Sequence, residues 1–397
     1  MSHIDEIKNK LDANINAIAD QLIDASRELW LHPEIGHEEF FAHKMLTEML
    51  EADGFIIENN PADMATAFIA TKDTGKQGPT IALISEYDAL PKLGHACGHN
   101  LFSVSAVGSA LALSKMKDQL NGKIVVIGTP AEEGVVPKAG GKAYLVEAGY
   151  FDEVDAAMIC HAEGRTIIKR NLIASASMDV KFKGKPAHAA GSPQEGINAL
   201  TAGVLTINNI NALRQHFLPR TIVNAILTEG GTSQNTIPDC CVMQVSIRAE
   251  KRDVHQSVIA QVKRCIEAAA YVTGCSFEIG SDRKIYEDLN LNDELAHLFA
   301  DAIKSLGIEY IENENANYSW DIGNVSYVCP TIAPYIKIGP DNLIGHTDEF
   351  REASNSVGGY EGMIVGAKAM ARVAVDLMLD SKKMENVKKS FKPSSIV

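Results

Sequence analysis

No stretch of the 397-residue chain approaches the roughly 20 consecutive apolar residues that a membrane-spanning helix needs. The segment Met1–Lys10 is charged where a signal peptide would carry an apolar run, so residence in the cytoplasm, away from any membrane, is the expectation. Basic residues are also scarce: 37 Lys and Arg face 51 Asp and Glu, for a formal charge of −14. Nucleic acid is thereby disfavoured as a partner, because displacing counterions from phosphate requires concentrated positive charge. The single basic cluster, Lys382, Lys383, Lys388, Lys389 and Lys392, reads as a solvated end. Seven cysteines, an odd number without regular spacing, offer no disulfide framework and fit a reducing compartment, where most serve as small buried hydrophobes. Internal repeats and low-complexity segments are missing as well.

What is present is an ordinary globular composition, 46% hydrophobic and 22% charged. A single core rarely grows beyond about 250–300 residues, so two domains are expected. Ile4, Ile7, Leu11, Ile15, Ile18 and Leu22 recur at steps of three and four, which predicts one amphipathic helix. Apolar runs at Thr66–Ala70, Thr80–Ser85, Lys123–Thr129 and Ala156–Cys160 alternate with helical patterns at Leu101–Met116 and Lys142–Glu147, which predicts an α/β layer with a mostly parallel sheet. From about Ala174 the order becomes strand Met178–Phe182, helix Gly196–Ala212, strands Ile222–Glu229 and Cys241–Arg248, helix Val254–Tyr271 and strand Ser276–Ile279. This βαββαβ order is ferredoxin-like. The first pattern then resumes with helix Asp293–Leu306, a strand near Pro334–Ile338 and a long helix Val357–Leu379. The expected organisation is a discontinuous first domain, residues 1–173 and 284–397, interrupted by an inserted domain, residues 174–283.

In parallel sheets ligands bind beyond the carboxyl ends of the strands. Polar clusters stand there after three of the predicted strands. The densest cluster in the chain is Gly94-His95-Ala96-Cys97-Gly98-His99-Asn100, directly before a helix. A thiolate and imidazoles at this spacing suit a borderline-soft divalent ion, with Gly98 allowing the chain to turn Cys97 and His99 toward one point. A buried Cys beside a helix-capping His fits that heptapeptide equally well. Strand Lys123–Thr129 runs into the adjacent acids Glu132 and Glu133, whose diverging side chains let one bind metal while the other acts as base; a solvated acidic turn is the alternative. His161 closes another strand, where a surface role is also open. Glu86 and Asp88 could orient ligated histidines or cap their turn. His346, between a strand and the last helices, is unremarkable alone. In the inserted domain His188 sits in a loop of small residues and could donate to a developing oxyanion. Arg248 could grip a substrate carboxylate or make a surface ion pair, and the loop carrying Asn235 could reach substrate or simply turn.

Taken in order, these segments resemble the MH-clan metallopeptidases, which include aminoacylases, carboxypeptidase G, indole-acetyl-amino-acid hydrolases and p-aminobenzoyl-glutamate hydrolases. His95-Ala96-Cys97-Gly98-His99 is similar to the branch with Cys-Gly-His in its metal motif. Glu86-Tyr87-Asp88-Ala89-Leu90-Pro91, Asn100 and Asp321-Ile322-Gly323-Asn324-Val325-Ser326 narrow the likeness to the p-aminobenzoyl-glutamate hydrolase and β-alanyl-lysine dipeptidase subgroup. Its relatives more often have Asp at the position of Asn100, and Asp at that of Glu86. Many also have a Pro-containing turn where His161 is followed by Ala162-Glu163-Gly164. The resemblance implies a zinc-aminopeptidase-like catalytic domain interrupted by a dimerisation and lid domain. It implies Cys97, His99, Glu133, His161 and His346 as ligands of two divalent ions, Zn²⁺ or Mn²⁺ with Co²⁺ also accepted, and Glu132 as general base. It implies a homodimer in which His188 reaches the neighbouring subunit's site while Asn235 and Arg248 hold the substrate end. The expected activity is hydrolysis of a dipeptide or an N-acyl or aminobenzoyl amino acid. An aminoacylase or auxin-conjugate hydrolase is the alternative within that chemistry, and a non-catalytic metal-dependent binding or regulatory subunit is the alternative outside it.

Overall fold

Short apolar runs become strands and the period-3.6 runs become the helices that cover them, in a computed structural model that describes residues 3–281 and 283–392. Met1, Ser2 and residues 393–397 of the terminal segments considered above lie outside the described residues. In chain order the first strands are β1 (Ile56–Asn59), β2 (Phe68–Asp73), β3 (Thr80–Glu86), β4 (Lys123–Thr129), β5 (Ala156–Met158), β6 (His161–Glu163) and β7 (Ile167–Asn171). Then follow β8 (Ala174–Lys183), β9 (Ile222–Glu229), β10 (Cys240–Ala249) and β11 (Ser276–Gly280), and finally β12 (Ile311–Asn315), β13 (Thr331–Ile332) and β14 (Tyr335–Lys337). The chain divides into two compact units. One runs to Asn171 and resumes at Leu289; the other is Leu172–Asp288.

The first unit is built on a mixed six-stranded sheet of order β1-β2-β4-β3-β5-β13. Pairing is parallel from β4 through β3 and β5 to β13, and antiparallel at the β1-β2-β4 side. Parallel strands point their carboxyl ends the same way, so Glu86 at the end of β3, Glu132 and Glu133 after β4, and His161 after β5 emerge along one edge. A second sheet, β12-β7-β14-β6, begins where the chain leaves β5, and His161 opens it. Helix His99–Ser114 is buried along its whole length, as a helix apolar on every face must be. It packs closely on helix Val357–Leu379, where a side chain at Gly366 would collide with Phe102 and Ser105.

The second unit has strand order β11-β8-β10-β9, antiparallel throughout. Helices Ala199–Leu213 and Arg252–Thr273 pack on the apolar face that contains Val180, Phe182, Val245 and Ile247. This is the ferredoxin-like order read from the sequence, and its six elements fall on the six expected runs.

Two expectations need correction. The amino-terminal apolar series forms two helices, His3–Ala17 and Ala19–Leu31, because Ile18 leaves helical geometry at φ −110 and ψ 8. The basic tail is more than a solvated end: its lysines are largely exposed, but Ser381–Ser390 is a helix capped by Asp380, and Met384 and Val387 bury one face of it. Lys383 pairs with the buried Asp376, and the exposed Lys388 with Asp155.

Candidate metal centre and active site

At Gly98 the backbone adopts φ +80, a conformation that side chains resist, and a Cβ there would lie 2.5 Å from the Cβ of Ala162. This turn aims Cys97 and His99 at the strand edge just described. Cys97 Sγ lies 3.3 Å from His161 Nε2. His99 opens its helix with Nδ1 committed to Asp88, 2.9 Å from the backbone oxygen and 3.3 Å from Oδ1. Its Nε2 therefore faces the acidic groups, 3.2 Å from Glu86 Oε1 and 3.7 Å from Glu132 Oε2. His161 is fixed in the same way, with Nδ1 2.9 Å from the Ala162 oxygen and Nε2 turned inward.

The remaining donors arrive from loops. Ala131 takes a left-handed conformation, φ +56, before the acidic pair. The buried Glu39 secures that turn: one carboxylate oxygen accepts from Ala131 N at 2.8 Å, the other from the Thr66 hydroxyl at 2.7 Å. Glu133 N donates to Asp88 Oδ2 at 2.9 Å. His346, also left-handed at φ +61, is pinned by its backbone N–H to the Ala96 carbonyl at 2.9 Å, and its Nε2 stands 3.4 Å from Glu133 Oε2. Ligand-type atoms thus form three overlapping groups, Cys97 with His99 and His161, Cys97 with Glu133 and His346, and His99 with Glu132 and Glu133, each within 4.8 Å.

Electrostatics shows what such a cluster demands. Burial, reinforced by neighbouring carboxylates, pushes Glu132 well above the carboxylate range and Glu133 up to about 7. Burial likewise holds the Cys97 thiol high. Burial works to lower the pKa of His99, yet Glu86 and Cys97 beside it raise it well above the usual imidazole value, whereas burial brings His161 down to about 4. These acids, the thiol and His99 are thus driven toward their protonated forms, and His161 toward its neutral one. His99 Nε2, Glu86 Oε1 and Glu133 Oε1 are buried without a hydrogen-bond partner among the described residues. Unsatisfied buried imidazole and carboxylate atoms, converging within a few ångströms of the Cys97 thiol, fit two borderline divalent ions.

The inserted unit places its candidates apart. His188 and Asn235 share one neighbourhood, with Ala189 N donating to the Asn235 carbonyl at 2.9 Å and His188 bridging to Thr236. Both are exposed. Arg248 lies opposite Ser175 near the start of β8, while Cys240 lies opposite Lys183 at its end, beside the His188 loop. That separation is eight strand residues, about 25 Å at 3.3 Å per residue.

Sequence reasoning missed a buried network behind the cluster. Lys142 Nζ donates to Glu86 Oε2 at 2.6 Å and to Asp321 Oδ1 at 2.8 Å, and Trp320 Nε1 donates to Glu86 Oε2 at 3.1 Å. Burial works to lower the pKa of the ammonium, and the Asp321 and Glu86 carboxylates overcome it, so Lys142 stays charged. The only signals were a lysine opening the helix after the acidic turn and an aspartate within a family motif. Asn100 is held by its surroundings. Its amide donates to the Ser354 carbonyl at 2.9 Å and to Ser26 Oγ at 3.1 Å, which a carboxylate could not do.

Residues 173–273 match the peptidase dimerisation domain. The fold is shared with a dinuclear metal-binding peptidase of the M20 family from Bacillus subtilis, at 22% identity and a TM-score of 0.67 over 91% of this chain and 99% of that one. In sequence the chain is 34% identical to the Xaa-Arg dipeptidase of Mus musculus, covering 98% of this chain and 93% of that protein. It is 30% identical to one of the p-aminobenzoyl-glutamate hydrolase polypeptides of Escherichia coli, covering 95% of this chain and 93% of that protein. The chain belongs to the M20 peptidase family. The resemblance read from the motifs is borne out, and this family member is a hydrolase of amide or peptide bonds. Among the described residues, no helix is long and apolar enough to cross a membrane.

Proposed function

We propose that the chain hydrolyses the amide bond of a dipeptide or of an N-acyl or aminobenzoyl amino acid, with two divalent ions held by Cys97, His99, Glu133, His161 and His346 and with Glu132 as general base. The observation that carries this reading is the convergence of all five donors and the neighbouring acid at one strand edge. Bound there, divalent ions would polarise the carbonyl and lower the pKa of water. Glu132 lies beside the donors but has a neighbour, Glu133, better placed to ligate with His346. Its carboxylate is thus available to take a proton from water and return it to the leaving amine. Buried in an acidic cluster, it holds that proton more tightly than an ordinary carboxylate would. Cys97 and Glu133 must lose protons before they ligate, so metal affinity rises with pH. The thiol favours Zn²⁺, and the carboxylate and imidazoles also accept Mn²⁺ or Co²⁺.

The substrate's free carboxylate would pair with Arg248. Because His188 and Asn235 stand at the other end of the same sheet, one chain does not bring all three onto one small substrate. A second copy would supply the missing end by adding at β9, one of the two outer strands, with Ile222 and Ile226 exposed along it. Glu132→Ala should keep its metal, measured by elemental analysis, and lose about 10²–10⁴-fold in kcat on a panel of β-alanyl dipeptides, N-acyl amino acids and aminobenzoyl-glutamate. Normal turnover by that variant would remove Glu132 from the role.

A further inference from the structure

Lys142 is a fully buried ammonium that the reaction, as derived above, does not use. It stands in the first turn of helix Gly141–Glu147, with its own backbone N–H donating to Asp321 Oδ2 at 3.0 Å and its ammonium 5.7 Å from the centre of the Trp320 ring. Gathering one ammonium and two carboxylates out of water is costly, and an apolar trio of similar volume would pack there at lower cost. Stability therefore does not account for the group. What the arrangement does is give the two oxygens of Glu86 different tasks. Oε2 accepts from both Lys142 and Trp320. Oε1 has no hydrogen-bond partner among the described residues and faces His99 Nε2 at 3.2 Å and His161 Nε2 at 4.0 Å. These are the two nitrogens left for metal once each Nδ1 is committed to a backbone oxygen.

We propose that Lys142, clamped by Asp321, is a positioning residue that locks Glu86 with Oε1 presented to the ions held by His99 and His161, and so sets the affinity and ligand geometry of the metal pair. The inference rests on the metal-site reading above. It also explains why this chain uses the longer Glu at position 86: the side chain spans from the lysine behind the strand edge to the imidazoles in front of it. Partners that tie down ligand-facing groups typically contribute 10–100-fold to metal affinity.

The test compares the wild-type protein with Lys142→Met/Asp321→Asn, which removes the clamp while leaving the net buried charge unchanged, and with Trp320→Phe, which removes one donor to Glu86 and no charge. Each chelator-treated protein is titrated with Zn²⁺ and with Co²⁺ against a chromophoric chelator, the visible spectrum of the Co²⁺ form is recorded, and the metal-free melting temperature is measured. The expected result is a loss of at least tenfold in affinity for one of the two ions in the double variant, with an altered Co²⁺ spectrum. Trp320→Phe should show a smaller loss, about threefold, in the same direction. Affinities within twofold of wild type and an unchanged spectrum, in the double variant if it folds and in Trp320→Phe in any case, would overturn the positioning role. Wild-type protein that binds fewer than one ion per chain would instead overturn the metal-site reading, and the inference with it.

Discussion

Apart from His346, exposed although it belongs to the first unit, the two units carry their candidate groups in opposite ways. In the first, Glu86, Asp88, His99, Lys142 and Asp321 are buried and share hydrogen bonds, so each is part of the core as well as of the site. In the second, His188 and Asn235 lie exposed on a loop, and Arg248 is only partly covered on a strand. A buried charge cannot be removed without leaving its partner uncompensated, whereas an exposed group can be lost with little cost to folding. Substitutions in the first unit should therefore move stability and activity together. Those in the second should separate them.

The largest expected effect is at Lys142. Lys142→Met leaves Glu86 and Asp321 facing each other uncompensated and should cost about 3–5 kcal/mol in denaturant unfolding. The contrasting change is His188→Ala, expected to lower kcat about 10²–10³-fold if the imidazole donates to the oxyanion, with unfolding free energy unchanged within about 0.5 kcal/mol. A His188→Ala protein that is destabilised as much as it is slowed would erase the distinction between the units.

Smaller effects sharpen it. Asn100→Asp replaces an amide that donates to the Ser354 carbonyl with a group that cannot, and should cost about 1–3 kcal/mol by thermal melting. Glu39→Gln keeps the acceptor for Ala131 N while removing a titrating group. Burial, and then Asp88, raises Glu39 from its ordinary 4.5 to about 8. A group raised on folding gives stability that is complete below its unfolded value and lost as pH climbs through its folded value. At constant metal loading, the stability of wild type relative to Glu39→Gln should thus fall as pH rises between 4.5 and about 8 and be level on either side. A level difference across that window would show that Glu39 does not carry the shift.

The same contrast governs what could be read from the sequence. The inserted unit was legible element by element, because its longest strands, β8 and β10 with ten residues each, display the alternation. Of the second sheet of the first unit only β14 was, from the run near Pro334–Ile338; β6 has three residues, and β7 and β12 carry their apolar residues at one end, so none of these three displays a period. The candidate metal cluster was legible where it is dense in sequence, from His95 to His99, and where acids stand side by side at 132 and 133. His346 gained meaning only from the family motif, and its tie to Ala96 is a backbone bond that no side-chain pattern reports. The Lys142–Asp321 clamp joins residues 179 positions apart through a lysine that looks like any other in a helix. In the tail, the charges outnumbered Met384 and Val387, which bury the helix's inner face.

The central claim is that one strand edge holds two ions through these side chains, and anomalous diffraction at the zinc edge from crystals of the metal-loaded protein tests it most directly. Two peaks per chain are expected, within bonding distance of Cys97, His99, Glu133, His161 and His346 between them. Density at a different set of side chains, or a single ion touching neither Cys97 nor His346, would contradict the account.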